Sequence, residues 1–259
     1  MFRLNLISAA AVAVVLATGA KAADMPVMYE PEPVEYRSWY LRGDIGASHQ
    51  VVGDFSSPYW DELAGLDSNV FLLDDDFEAS FFFVAGIGYK INDWFRVDVT
   101  GEYRFESDFH GLDNYDEAPS DGIIDGSNQY TGTKEEAVFL FNAYLDLPSY
   151  GRMTPYVGAG VGAAWLKMSD FTDYNPTEDA TGLSGDVDTW NFAYALYAGL
   201  AFEVTEQLTF DVGYRYLYLG DIETDDLLTP LGGNDEFNPF NFEDVASHDI
   251  KVGLRYMFY

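Results

Sequence analysis

The last ten residues of the chain alternate between apolar and polar side chains, and this alternation restricts the fold more than any other feature. The apolar phase contains Ile250, Val252, Leu254, Tyr256 and Phe258. The other phase contains Lys251, Gly253, Arg255 and Met257. A period of two predicts a β-strand with one apolar and one polar face. Because the chain ends inside this strand, the strand needs a partner within the same fold, and a length of about 9–11 residues is typical of a transmembrane β-barrel.

The first 22 residues predict an export signal that is removed from the mature protein. A basic start precedes the largely apolar stretch 4–17, and residues 20–22 form an A-x-A cleavage site. Residues 23–36, in which proline is interleaved with glutamate, predict an extended periplasmic linker. We therefore expect a signal peptide at 1–22, a linker at 23–36 and a barrel at 37–259.

The charge balance excludes one large class of function. The chain has 44 acidic and 13 basic residues, which gives a formal net charge of −31. Nucleic-acid binding is not expected, because contacts to phosphate need Lys and Arg. Aromatic residues make up 17% of the chain, which is too many for a disordered polypeptide of low hydrophobicity. No cysteine is present, so disulfides and thiolate chemistry are not expected.

Seven further segments show strand periodicity, which makes eight with the last one. They are 38–48, 79–90, 94–106, 135–147, 155–167, 190–203 and 208–219. The connections near residues 92, 150 and 205 are short. The other four connections are 49–77, 108–132, 169–189 and 221–247, and each exceeds twenty residues. Short turns at one end and long loops at the other are typical of an outer-membrane barrel.

Two features predict that the polar face points into the barrel. Aromatic residues lie near the strand ends on the apolar face, where membrane-interface girdles occur: Trp39, Trp165, Trp190, Tyr216, Tyr256 and Phe258. Glycines lie on the opposite face, including Gly158, Gly160 and Gly162, and leave room inside a narrow eight-stranded barrel. The polar face is therefore predicted to line the lumen.

Three stretches and the export signal resemble a known family. The stretches are TPYVGAGVGAA (154–164), TFDVGYRYLYLGD (209–221) and HDIKVGLRYMF (248–258). Lys251, Gly253, Tyr256 and Phe258 also fill, in order, a pattern similar to the C-terminal membrane-insertion signature of outer-membrane barrels. The chain thus resembles the outer-membrane β-barrel family of small Gram-negative surface proteins, often labelled "porin family" or opacity-type proteins.

The resemblance implies a fold, a location and a set of partners. The expected fold is an eight-stranded antiparallel transmembrane up-and-down β-barrel with four long extracellular loops and short periplasmic turns. The expected location is the cell outer membrane, and no peptidoglycan-binding tail is expected. The expected partners are outer-membrane lipid and lipopolysaccharide, the barrel assembly machinery and, through the loops, an external ligand or host surface.

The inward phase carries a balanced set of charges. The basic members are Arg42, Lys90, Arg96, Arg104, Arg215, Lys251 and Arg255. The acidic members are Asp44, Asp98, Glu102, Glu106, Asp146, Glu203 and Asp211. In a lumen this narrow, such a set predicts a plug of paired charges, and an ion-lined pore is the alternative.

One strand register gives this plug a concrete form. It places Asp211 opposite Arg255 and Arg215 opposite Lys251 on the last two strands. The second pair is like-charged, so carboxylates from other strands must approach it, with Asp44 and Glu102 as the nearest candidates.

The four long connections hold more than half of the acids and no Lys or Arg. The acidic clusters 74–76 and 225–226 suit either weak calcium binding or a solvated, mutually repelling rim, and the rim is favoured. No metal and no cofactor are therefore expected.

Catalysis is the least favoured function. The three histidines are His49, His110 and His248, and none belongs to an H-x-S pair. We therefore expect a non-enzymatic surface protein with a structural role in the envelope and a surface-interaction role. A narrow passive channel for small solutes is the alternative, and a lipid A-modifying enzyme is the third.

Overall fold

The computed structural model describes residues 38–58, 60, 69–116, 123–229 and 238–258. In this part of the chain, segments with alternating apolar and polar residues form eleven β-strands. The strands are β1 (Ser38–Val51), β2 (Asp54–Ser56), β3 (Asn69–Phe77), β4 (Ser80–Lys90), β5 (Phe95–Asp116), β6 (Gly126–Asp146), β7 (Met153–Asn175), β8 (Ala180–Leu183), β9 (Val187–Glu203), β10 (Leu208–Glu223) and β11 (Asn241–Phe258). The predicted signal and linker, and Tyr259, lie outside the described residues. Within those residues, no helix is long and apolar enough to cross a bilayer.

Eight of the strands pair side by side into a closed ring. Their order is β1, β4, β5, β6, β7, β9, β10 and β11, and β11 pairs back to β1 in the same antiparallel sense. In this closing seam, Trp39 lies opposite Phe258 and His49 lies opposite His248. The predicted eight-stranded antiparallel barrel, closed between its first and last strands, is confirmed. Closure satisfies the edge hydrogen bonds that hydrocarbon would leave unmade.

The connections differ at the two ends of the barrel. The turns at residues 91–94, 147–152 and 204–207 are short, as predicted. At the other end, the prediction of four long loops needs correction, because most of their described residues belong to strands that continue beyond the barrel. We call this extension the crown, and it comprises residues 50–58, 60, 69–78, 107–116, 123–133, 169–186, 221–229 and 238–246.

The strands continue because the alternation of apolar and polar residues continues, but in the crown the apolar side chains point inward instead of outward. In the barrel part of β5, Val99 is exposed and Asp98 is buried. In the crown part, Phe109 is buried, whereas its neighbours Asp108 and His110 are exposed. In the barrel part, surrounding lipid favours apolar side chains on the outer face. In the crown, surrounding water favours them on the inner face, so the same period of two occurs in both parts with the apolar face reversed.

A β-bulge lies at this change of phase in β5. The register with β6 shifts between Arg104 and Ser107, and both intervening residues, Phe105 and Glu106, are exposed. The prediction that Glu106 faces the lumen is therefore wrong, because the extra residue moves the inward phase to Ser107.

The outer face of the barrel is an apolar belt. Exposed members include Val99, Phe139, Phe141, Val212 and Leu254, while Val97 and Val252 are half-buried. On the inner face, Arg96, Asp98, Glu102, Asp211 and Arg215 are buried, and Arg255 is half-buried. The predicted sidedness is confirmed, and it is the arrangement of a membrane barrel.

Glycines of β7 make room for larger lumen side chains, as predicted. A Cβ atom on Gly158 would overlap the ring of Tyr144, and one on Gly160 would overlap the amide of Asn142. Both larger side chains are buried, with exposed fractions of 1% and 0%. The narrow lumen therefore accommodates them only because β7 contributes backbone alone at this height.

The substitution Val99→Arg is expected to destabilise the barrel by about 2–4 kcal/mol. Val99 is 55% exposed in the belt part of β5, so the new charge would face hydrocarbon. Urea unfolding of the protein in lipid vesicles measures the change. Thr131→Arg, an exposed crown position, is the control and is expected to be nearly neutral. Equal losses for the two variants would contradict the placement of the belt.

Candidate functional site

The candidate site is the lumen, where every second side chain of each ring strand points inward. Along the barrel axis it contains a polar recess at the short-turn end, a network of charges in the middle and an aromatic cluster in the crown. These layers differ in chemistry because the recess is open to water, whereas the middle and the crown are buried.

Two arginines and two carboxylates form a closed ring of ion pairs in the middle layer, which we call the charge ring. Arg104 Nη1 donates to Glu102 Oε1 at 2.8 Å, and Arg104 Nη2 donates to Asp249 Oδ1 at 3.2 Å. Arg215 Nη1 donates to Glu102 Oε2 at 2.5 Å, and Arg215 Nη2 lies 2.6 Å from Asp249 Oδ2. All four side chains are at most 2% exposed. Each buried cation therefore has two anionic partners.

The charge ring continues toward the crown through a third carboxylate. Glu136 Oε2 lies 2.6 Å from Arg104 Nε, and Glu136 Oε1 lies 2.8 Å from Lys134 Nζ. The Lys134 ammonium also lies 4.0 Å from the ring centre of Phe77. Lys134 thus joins the charged layer to the aromatic layer above it.

A second group of charges lies toward the short-turn end. Arg42 is 2.6 Å from Asp44 and 2.9 Å from Asp98, and Lys251 is 3.3 Å from Asp44. Arg42 Nη1 also donates to the hydroxyl of Tyr144 at 2.8 Å. These charges are at most 5% exposed, so this group, like the charge ring, pairs its cations with carboxylates away from water.

The recess at the short-turn end has a volume of about 590 Å³. At its inner end, Arg96 Nε donates to Asp146 at 3.1 Å, and its guanidinium lies 3.9 Å from the ring centre of Tyr144. Lys90 pairs with Asp93 at 3.0 Å in an exposed position. Glu203 lines the recess but is exposed to solvent, because the strand ends there.

The predicted register of the last two strands is wrong by two residues. Arg215 lies opposite Asp249, and Lys251 lies opposite Gly213, so the predicted like-charged pair does not form. Asp211 and Arg255 still make an ion pair at 2.7 Å, although they are diagonal rather than opposite. The carboxylates named as nearest candidates do approach the two cations, since Glu102 pairs with Arg215 and Asp44 pairs with Lys251.

The sequence interpretation missed three members of the lumen network. Lys134 was missed because β6 was predicted to start at residue 135, although the strand starts at Gly126. Glu136 was missed although it lies within the predicted strand, on the same face as Asn142 and Tyr144. Asp249 was missed because the clear alternation of apolar and polar residues begins only at Ile250, although β11 begins at Asn241. Its position two residues before Lys251 was the available signal, since residues two apart share a face.

The crown has its own hydrophobic core, which we call the aromatic cluster. Its rings are Phe55, Phe77, Phe109, Tyr130, Phe171, Phe240 and Phe242. Phe242 is fully buried, with its ring centre 4.8 Å from that of Phe109 and 4.9 Å from that of Phe55. Aromatic pairs at these distances and tilts contribute stability in addition to that from the apolar area that they bury. The predicted loops therefore form a packed structure above the membrane belt.

Two carboxyl groups approach each other inside the crown, well beyond the belt. Asp113 is fully buried and accepts hydrogen bonds from the Tyr130 hydroxyl at 2.6 Å and the Asn128 backbone at 2.9 Å. Asp173 Oδ1 is buried and, within the described part of the chain, has no hydrogen-bond partner. Burial and the nearby Asp113 charge raise the pKa of Asp173 to about 7.

This raised pKa predicts a pH-dependent crown. Folded Asp173 keeps its proton up to about pH 7, whereas an unfolded Asp loses it near pH 4. Crown stability therefore falls as the pH rises from about 4 to 7. Asp173→Asn is expected to stabilise the crown by about 2 kcal/mol at pH 8 and hardly at all at pH 4.

Hydrogen exchange of the crown amides at the two pH values measures this effect. Glu178→Gln, at an exposed crown position, is the matched control and is expected to leave protection unchanged at both. A gain for Asp173→Asn that is equal at pH 4 and pH 8 would show that proton release is not the cause.

No group of three or more His, Cys, Asp or Glu side chains is arranged to hold a metal ion in the described part of the chain. Of the predicted calcium candidates, 74–76 lies on β3 at the crown surface, where Asp74 and Asp76 are exposed. The histidines lie apart from the lumen network, with His110 Nε2 at 3.3 Å from Glu78 and His248 beside Tyr214.

Comparison with known proteins gives consistent matches along the chain. Residues 8–258 match the family described as the outer membrane protein beta-barrel domain. An uncharacterised protein of Brucella melitensis biotype 1 is 32% identical over 93% of this chain and 93% of its own length. A protein of Rickettsia bellii named as a candidate adhesin is 26% identical over 85% of this chain and 87% of its own. The crystal structure of Neisserial surface protein A covers 85% of this chain and 97% of its own, with a TM-score of 0.41 and 17% identity.

Proposed function

Because the chain belongs to the outer membrane protein β-barrel domain family, we propose that it is a surface protein with a closed lumen and a crown that binds external partners. Family membership places it in the outer membrane of a Gram-negative cell. In this proposal the apolar belt contacts outer-membrane lipid and lipopolysaccharide, and the barrel assembly machinery inserts the chain. The Rickettsia relative is named as an adhesin rather than an enzyme, so the proposed role is non-enzymatic.

The observation that carries the closed lumen is the charge ring. Its four side chains come from β5, β10 and β11. The hydrogen bond between Arg104 on β5 and Asp249 on β11 crosses the lumen, because these two strands are not neighbours in the barrel. An eight-stranded barrel has an interior that side chains just fill. With the aromatic cluster packed above the charge ring, two successive layers obstruct the path of a solute.

The observation that supports surface binding is the construction of the crown. Its aromatic cluster holds the strand extensions in place above the membrane, so the crown is a preorganised surface rather than a set of free loops. On β3 it exposes Phe71 and Leu73, with fractions of 46% and 57%, beside the acids 74–76. Exposed apolar groups next to like charges suit a partner that carries apolar and basic groups.

Conductance of the purified protein in planar lipid bilayers tests the closed lumen. We expect no discrete conductance steps above those of protein-free bilayers. Regular steps that change size with ion type would overturn the closed lumen and favour the passive channel, leaving the crown proposal to its own test.

Adherence of bacteria that produce the protein tests the crown. Replacement of Asp74, Asp75 and Asp76 with asparagine is expected to reduce adherence to host cells, most clearly at low ionic strength. Asp93→Asn, on the periplasmic side, is the matched control because it cannot touch an external partner. Equal adherence of all three strains would contradict the proposed binding surface.

A further inference from the structure

Two of the three histidines of the chain lie opposite each other on the outside of the barrel. His49 on β1 and His248 on β11 are register partners in the closing seam, and both side chains are exposed. Side chains that are directly opposite on antiparallel strands have Cβ atoms about 4.5–5.5 Å apart. The seam therefore brings together two imidazoles from opposite ends of the sequence.

The pair lies at the extracellular edge of the apolar belt. On β1 the outward phase runs ten residues from Trp39 to His49, and on β11 it runs ten residues from Phe258 to His248. Ten residues at about 3.3 Å each, tilted by about 40°, span the roughly 25 Å height of an outer-membrane belt. Both imidazoles thus lie at the level of the lipid headgroups, where water and dissolved ions have access.

A tyrosine on the neighbouring strand holds one of the two rings. The Tyr214 hydroxyl lies 2.6 Å from His248 Nδ1, and Tyr216 packs against the same ring with centroids 5.5 Å apart. This hydrogen bond engages Nδ1 and leaves Nε2 as the nitrogen available to another ligand. A hydrogen bond from the second ring nitrogen is the usual support of a metal-binding histidine, because it fixes both the tautomer and the ring orientation.

We propose that His49 and His248 bind a divalent first-row transition-metal ion, such as Cu²⁺ or Zn²⁺, across the closing seam of the barrel. Imidazole nitrogen is a preferred ligand of these ions, and water completes the coordination of a site with two protein ligands. Tyr214 acts as a positioning residue through His248. Because the ligands come from the first and last strands, the bound ion links the two edges of the sheet and binds only the closed barrel.

Copper binding to the folded full-length protein in detergent tests the proposal. Pulsed electron paramagnetic resonance counts the imidazoles around Cu²⁺ from the remote nitrogen of each ring, and two are expected at one equivalent of metal. His49→Ala and His248→Ala are each expected to weaken Cu²⁺ binding by more than about tenfold and to leave one imidazole. Tyr214→Phe is expected to weaken it by about tenfold while two imidazoles remain.

The chain provides a matched control in its third histidine. His110 lies in the crown beside Glu78, and His110→Ala is expected to leave affinity and imidazole count unchanged. Cu²⁺ should also raise the thermal midpoint of the wild type and of His110→Ala, but not that of the double variant His49→Ala/His248→Ala. Oxygen-only coordination, a single imidazole in the wild type, or unchanged binding by the double variant would each overturn the site.

Discussion

The substitution Asp249→Ala is expected to destabilise the folded barrel by about 3–5 kcal/mol. Asp249 is fully buried and receives hydrogen bonds from both Arg104 and Arg215. Its removal leaves Arg215 paired with Glu102, and Arg104 paired with Glu102 and Glu136, so each buried guanidinium group loses one anionic partner. Urea unfolding of the protein in lipid vesicles, followed by the shift in gel mobility of the unheated barrel, measures the loss.

An exposed ion pair of the same protein provides the control for this variant. Asp93 lies 3.0 Å from Lys90 at the recess, where its side chain is 64% exposed. Asp93→Ala is expected to change stability by less than about 1 kcal/mol, because solvent screens exposed pairs. If the two variants lose the same stability, the buried network has no special role.

The substitution Phe242→Ala is expected to remove about 3–5 kcal/mol from the stability of the crown. Phe242 lies at the centre of the aromatic cluster, against Phe55, Phe77 and Phe109, and has no exposed surface. Its truncation leaves a cavity between these three rings, which come from three different strands. Hydrogen exchange should show lost protection in β2 and β3, while the amides of the barrel part stay protected.

A phenylalanine at the crown surface provides the control, because it distinguishes the loss of buried packing from the loss of a hydrophobic side chain alone. Phe71 is 46% exposed, so Phe71→Ala is expected to leave hydrogen exchange in β2 and β3 almost unchanged. Lost protection throughout the barrel part after Phe242→Ala would contradict the separation of crown and barrel into two cores.

The barrel was predictable from sequence because one physical rule covers all of its strands. Lipid surrounds the barrel, and its lumen is narrow and polar. The polarity of each side chain therefore suffices to predict that Val99 points outward and Arg96 points inward. Short turns and paired first and last strands then follow from closure. The pairing of Glu102 with Arg215 was also predictable, because a buried cation is costly unless a carboxylate pairs with it.

The crown and the strand registers were not predictable by the same rule. Above the belt the apolar side chains point inward, so the pattern of outward apolar residues ends where Phe109 and Phe171 begin to pack inside. The bulge that exposes Glu106 leaves no mark in the alternation, since a single extra residue produces it. The register of Arg215 depends on hydrogen bonding along the entire β10–β11 pair, which a count of side-chain phases determines only to within two residues.

We expect closure of the barrel at the seam between β1 and β11 to be a single late event in folding. The Arg104–Asp249 contact joins residues 145 positions apart, and the Lys251–Asp44 contact joins residues 207 apart. Such distant contacts form slowly, because the chain entropy lost on joining them precedes any gain from pairing. A sheet that has not yet acquired β11 contains Arg104 and Arg215 without one of their counter-ions. Arrival of the last strand completes the edge hydrogen bonds and brings Asp249 to both cations in one step, so we expect the main barrier of the folding pathway to lie at closure.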